Sequence, residues 1–170
     1  METLFLAWTD EYAIGHTGLD GEHRQLVNAI NEICSIKCAG YELDQLRPLL
    51  EALTIATVEH FKHENSLLRE LSIWASGLQA DHQAILNIIN AAAVNEHCAE
   101  HAQVLLRLEA IIDAFYYGAD SDRAHLGKAL MDWFVEHAVR HDADLRGVFQ
   151  LYFTESEAAA SNSQCDRFGS

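Results

Sequence analysis

Apolar residues recur along most of the chain at alternating steps of three and four, the period of a helix with one buried face. Four long segments carry this pattern. The first spans about Asp20 to Cys38, with His23, Leu26, Ile30 and Ile33 on its stripe, and stops near Gly40. The second spans about Asp44 to Leu71 and steps through Leu46, Leu50, Leu53, Thr57, His60, Glu64, Leu67 and Leu71. The third, about Val94 to Tyr117, carries His97, His101, Val104, Leu108, Ile111 and Phe115, and breaks at Gly118. The fourth, about Ser121 to Phe153, carries Leu126, Leu130, Trp133, His137 and Leu145. Their lengths and short connections predict an all-α, up-down-up-down four-helix bundle.

Three stretches fall outside the pattern. Met1 to Gly18 has no sustained periodicity and reads as an arm laid against the body, with Asp20 as the N-cap of the first helix. Between helices two and three, Ser72 to Ala92 reads as an inserted helical segment. Ser72, Ser76 and Gly77 interrupt the stripe, and Asp81 then caps a short helix or an extension of helix three. Thr154 to Ser170 is rich in Ser, Ala, Asn and Glu and predicts a disordered tail behind one domain over residues 1–153.

A net charge of −15 repels phosphate backbones and anionic lipid, which argues against nucleic acid and membrane surfaces as partners. No apolar run approaches the roughly 20 residues of a membrane-spanning helix. Glu2 stands where a secretory signal carries positive charge, and Cys34, Cys38, Cys98 and Cys165 have the spacing of neither a disulfide framework nor a zinc site. A reducing cytoplasm is the expected compartment. Cys34 and Cys38, one helical turn apart, read as a packed helix face before a redox pair.

Ten histidines change the picture, because several fall on the core stripes. An imidazole buried without a partner is costly, and a lone case is usually a satisfied structural residue. Here five accumulate on four stripes with two carboxylates: His23, His60, His97, His101, His137, Glu64 and Asp142. His60 and Glu64 are four apart, as are His97 and His101, so each pair projects from one helix face toward a common centre. Asp142 follows His137 by five residues, which a regular helix places about 140° away at about 100° per residue. That offset suits a carboxylate reaching sideways to a second metal. The set exceeds what one tetrahedral ion uses and suits two first-row metals, two irons, with bridging carboxylates.

These residues resemble the hemerythrin family, particularly the bacterial hemerythrin-like proteins. The resemblance rests on Trp8, Tyr12, Gly15, Leu19, Asp20 and His23, on His60-Phe61-Lys62-His63-Glu64, on His97-Cys98-Ala99-Glu100-His101, and on Trp133 to Asp142. It implies that His97, His101 and His137 hold one iron and His23 and His60 the other, with Glu64 and Asp142 bridging alongside an oxo or hydroxo group. Dioxygen would bind at the open position of the two-histidine iron and be held as hydroperoxide, and reversibility would depend on a dry pocket.

The resemblance places Leu26, Val104, Trp133, Phe134 and Ala138 in that pocket. Val104 stands where the family usually has Phe, Ala138 where it has a larger aliphatic, and Phe134 where it has Leu, so a roomier pocket with faster oxidation is expected. Glu64 and His101 are well over a dozen residues further apart than the family norm. His82 lies nearer the usual distance but has Leu86, not a ligand, four residues on. His63 and His141 read as supporting or solvent residues, and His16 and His125 as exposed ones.

The leading expectation is a dioxygen-binding protein for storage, delivery or scavenging, and not an enzyme. The chain has no Glu-x-x-His, the motif of ferritin-like oxidases. The alternatives are an oxygen or redox sensor that signals to a partner through the arm, insertion or tail, and a diiron peroxidase or nitric oxide-handling enzyme.

Overall fold

The computed structural model describes residues 4–38, 43–77 and 87–153. Four long helices form the body: α1 (Thr17–Cys38), α2 (Leu43–Ala75), α3 (Ala91–Tyr117) and α4 (Asp120–Glu136). Each packs on its neighbour in sequence, and α4 returns to α1, which closes a ring of four. Among the described residues there is no strand, and the all-α bundle expected from periodicity is the fold observed. The expected tail and the Asp81 cap lie outside the described residues, as does His82. No helix among the described residues is long and apolar enough to cross a membrane.

The bundle's helices are held by the expected stripes, with one adjustment in α2. In α2 the inward position passes from Glu64 to Leu68, Leu71 and Ala75, all buried, and leaves Leu67 only half-buried. Pro48 is the sixth residue of α2, so its missing N–H removes one helical bond, to the Asp44 carbonyl, near the helix start. Gly127 lets α4 approach α1 closely, since a Cβ there would lie 2.9 Å from Cys34 Sγ.

The arm is tied down at several points. Leu6 exchanges two backbone hydrogen bonds with the Asn31 side chain, at 2.7 and 3.0 Å. Arg24 lies over the Trp8 ring at 3.9 Å. A short 3-10 turn, Asp10–Tyr12, follows, and Arg146 donates to the carbonyls of Asp10, Glu11 and Ala13. Gly15, with φ +88°, makes the left-handed bend into α1 that a side chain would resist.

Asp20 is not the N-cap of the first helix. The helix starts three residues earlier, at Thr17, and the His16 ring accepts from the Leu19 N–H at 3.2 Å in the capping position. Asp20 instead accepts from the Ile14 N–H at 2.7 Å and pins the arm. His16, expected to be exposed, is half-buried and stacks on Phe153, whereas His125 is exposed as read. In the insertion, α2 continues to Ala75, one helical turn occupies residues 87–89, and Asn90 caps α3 by accepting from Ala92 and Ala93.

The fourth helix is not continuous to Phe153. It gives way to a π-turn at His137–His141 and resumes as α5, residues 145–153. In a π-turn the i→i+5 hydrogen bond brings the fifth residue over the first. Asp142 therefore sits on the same side as His137.

Candidate metal centre

Two apolar clusters fill the bundle, and one polar layer separates them. One cluster holds Leu26, Phe61, Val104 and Ala138; the other holds Leu19, Leu68, Val94 and Leu145. Each helix stripe crosses from one cluster to the other at a stripe histidine. His23, His60, Glu64, His101, His137 and Asp142 are all 2% exposed or less. The His97 side chain is the exception at 12%.

The five histidines all turn Nε2 inward. His23 Nδ1 donates to the Tyr12 carbonyl at 2.6 Å, His60 Nδ1 to Glu22 Oε2 at 3.0 Å, and His101 Nδ1 to Asn65 Oδ1 at 2.9 Å. A hydrogen on Nδ1 leaves Nε2 as a lone pair, the form in which imidazole binds metal. His23 Nε2 and His60 Nε2 face each other at 3.0 Å, an arrangement that two lone pairs tolerate only with a positive charge between or beside them. His97 Nε2 lies 3.1 Å from Glu64 Oε1 and His137 Nε2 lies 3.2 Å from Asp142 Oδ2.

Potential ligand atoms fall into two groups, each within 4.8 Å: His23, His60, His137 and Asp142; and Glu64, His97, His101 and Asp142. All seven sequence-predicted residues are thus brought together. His137 shares the first group with His23 and His60, while its ring lies nearer His101, at 5.4 Å between centroids, than His60 at 6.0 Å or His23 at 6.3 Å. Asp142 does not reach sideways from an off-face position; it is the residue common to both groups. Glu64 also touches both sides, with Oε2 3.5 Å from His60 and from His101.

Buried atoms left without hydrogen bonds test whether the residues fit a metal. Glu64 Oε2, His101 Nε2, His137 Nε2 and both Asp142 oxygens have no such partner. Each would cost about 1–3 kcal/mol if nothing compensated it. Electrostatics agree. Burial raises Glu64, but the hydrogen bond from His97 and the surrounding imidazoles outweigh it and hold the carboxyl far below its usual range. Burial and the Glu64 charge push Asp142 well up. Two carboxylates this close and this buried are both ionised only with cations beside them. Burial also drives His101 down to about 3 and His137 well below the usual imidazole value, so both stay neutral and ready to ligate. The donor set of imidazole and carboxylate fits iron among the first-row metals.

Several contributors were not singled out from sequence. Phe61 stacks parallel on His101 at 4.1 Å and meets His137 edge-on at 4.8 Å, fixing both rings. Its only signal was its place between His60 and Lys62. Glu22 holds His60 and also His63, with His63 Nδ1 donating to its other oxygen at 2.6 Å. Those two hydrogen bonds outweigh partial burial and keep the Glu22 carboxyl below its usual value. His141 pairs with Glu100 at 3.0 Å, so His63 and His141 both fall outside the ligand groups. Cys34 is buried in the core and Cys98 packs against the second cluster, whereas the Cys38 side chain and Cys165 lie outside the described residues.

The predicted pocket residues converge as well. Leu26, Val104, Trp133, Phe134 and Ala138 are all 5% exposed or less and belong to one cluster on one side of the polar layer. The one polar atom among their side chains, Trp133 Nε1, donates to the Val104 carbonyl at 2.9 Å.

Fold and site together define a helical-bundle metal-binding protein. The profile of the hemerythrin HHE cation-binding domain matches residues 15–147, and the chain belongs to that family. The match begins at Gly15, so Trp8 and Tyr12 of the arm lie outside it. No curated protein matches the chain.

Proposed function

We propose that the polar layer holds two iron ions and that the protein binds dioxygen reversibly, for storage, delivery or scavenging and not for turnover. The observation that carries this reading is the set of orphaned, inward-facing Nε2 and carboxylate atoms enclosed between two apolar clusters. His97, His101 and His137 would serve one ion and His23 and His60 the other, with Asp142 and Glu64 between them. Ferrous iron supplies the electrons that hold dioxygen.

The chain's own residues make that binding reversible. Tyr12, Glu22 and Asn65 fix the tautomers and ring orientations of three ligands. Leu26, Val104, Trp133, Phe134 and Ala138 offer no free proton donor and keep water out. Dioxygen as the partner molecule rests on the family membership, while the acidic charge argues against nucleic-acid partners and the cysteine pattern favours a cytoplasmic setting.

The test is an absorbance spectrum with metal analysis on the anaerobically reduced protein, after adding oxygen, and after removing it. A visible oxygenated band that appears and vanishes, with two irons per chain, supports the proposal. Irreversible conversion to the diferric spectrum favours a sensor, or a peroxidase or nitric oxide-handling enzyme. Failure to retain iron overturns the site assignment.

A further inference from the structure

Six of the seven centre residues are sealed from solvent, so metal ions have few ways in. One cleft of about 340 Å³ reaches the layer, and His97 forms part of its wall. Four other surface cavities touch none of the seven. The cleft is bounded by the start of α3, by residues 87–88, and by the chain leaving the π-turn.

Its charge is uneven. Glu96, Glu100 and Asp144 line it, against a single Arg140 whose guanidinium is drawn to Glu136 at 3.5 Å. Glu100 is paired with His141 across the cleft lining, at 3.0 Å. Behind the cleft stands the 12%-exposed ring of His97, and 3.1 Å behind its Nε2 stands Glu64, fully buried with Oε2 unpartnered. Carboxylates in a walled cleft concentrate cations and raise their arrival rate by roughly 10–1,000-fold.

We propose that this acidic cleft is the route by which divalent iron reaches the centre, with Glu96, Glu100 and Asp144 gathering the ion and His97 passing it inward. The inference rests on the proposed iron-binding reading, and concerns the rate of loading, not final occupancy. No bond is made or broken beyond exchange of water for protein ligands.

The test uses chelator-stripped full-length protein mixed anaerobically with ferrous ion, with retained iron measured against time and ionic strength. Replacing the cleft carboxylates together, E96Q with E100Q and D144N, should slow loading about 10-fold at low salt and flatten its salt dependence. Final iron per chain should match the parent. Ala93→Phe, which fills the cleft, should slow both loading and extraction by a chelator, whereas Glu59→Gln, on an exposed part of α2 outside the cleft, should change neither. Parent-like kinetics in the triple variant or in Ala93→Phe, with normal final iron, would overturn the route and leave the iron site standing. A parent chain that retains no iron overturns both.

Discussion

The two halves of the centre use the same kinds of ligand in different surroundings. The half built on His23 and His60 is closed: both rings are 1% exposed or less, and they are tied by Nδ1 to the Tyr12 carbonyl and to Glu22. The half built on His97 and His101 is open at His97, which borders the acidic cleft. Asp142 belongs to both. The difference separates two tasks that conflict at a single site. A metal must be able to enter, which needs a path to water, and a bound gas must be shielded, which needs none.

The comparison breaks most completely at the shared residue. Asp142→Ala removes a ligand atom from each group, and retained iron is expected to fall to roughly half or less of the parent's. Metal analysis after gel filtration measures this, and circular dichroism checks that the helices persist. Parent-like iron content would show that Asp142 is not common to both ions.

Single histidine losses should then be unequal. His23→Ala opens a hole in the closed half and leaves the Tyr12 carbonyl buried without its donor, at a cost of about 1–3 kcal/mol. For a chain of this size that lowers the melting temperature by several degrees, at roughly 2–4 °C per kcal/mol. His97→Ala leaves a gap that water from the cleft fills, so its melting temperature should move less and its iron content should fall less. Equal losses would erase the distinction between the halves. Glu22→Gln sits lower on the scale: it weakens the support of His60 without removing a ligand, and metal affinity should drop about 10-fold. Competition with a chelator reads that change directly.

How much of this was legible in the sequence depends on what each residue's environment rests on. The stripe histidines stood out because imidazole on an apolar face is costly unless something claims it, and the six stripe candidates converge with the off-stripe Asp142. The π-turn was not legible. Periodicity assumes a constant helical step, and the five-residue spacing of His137 and Asp142 marked an anomaly without saying that the backbone, not the side chain, absorbs it. The Asp20 cap failed because a carboxylate near a helix start has two uses, and here the arm's Ile14 N–H claims it. The support of His23 was invisible in principle, as a backbone carbonyl has no sequence signature.

The smallest expected effect concerns the apolar side of the layer. Val104 lies one turn beyond His101, is 5% exposed, and shares a cluster with Leu26, Trp133, Phe134 and Ala138. Beside Ala138 it leaves less bulk than Phe would, so under the proposed function water would reach a bound gas more readily and oxidation to the diferric form would be faster. Val104→Phe should slow that oxidation by a few-fold, since excluding a weakly held water is worth about 1 kcal/mol. Overpacking is the competing cost, about 1–3 kcal/mol in a tight core, and it would appear as a lowered melting temperature. Decay of the oxygenated band in air, measured beside thermal melts of both proteins, separates the two. Slower decay at parent-like stability places the gas pocket on the Val104 side. Unchanged decay with an intact fold would move it to another face of the layer.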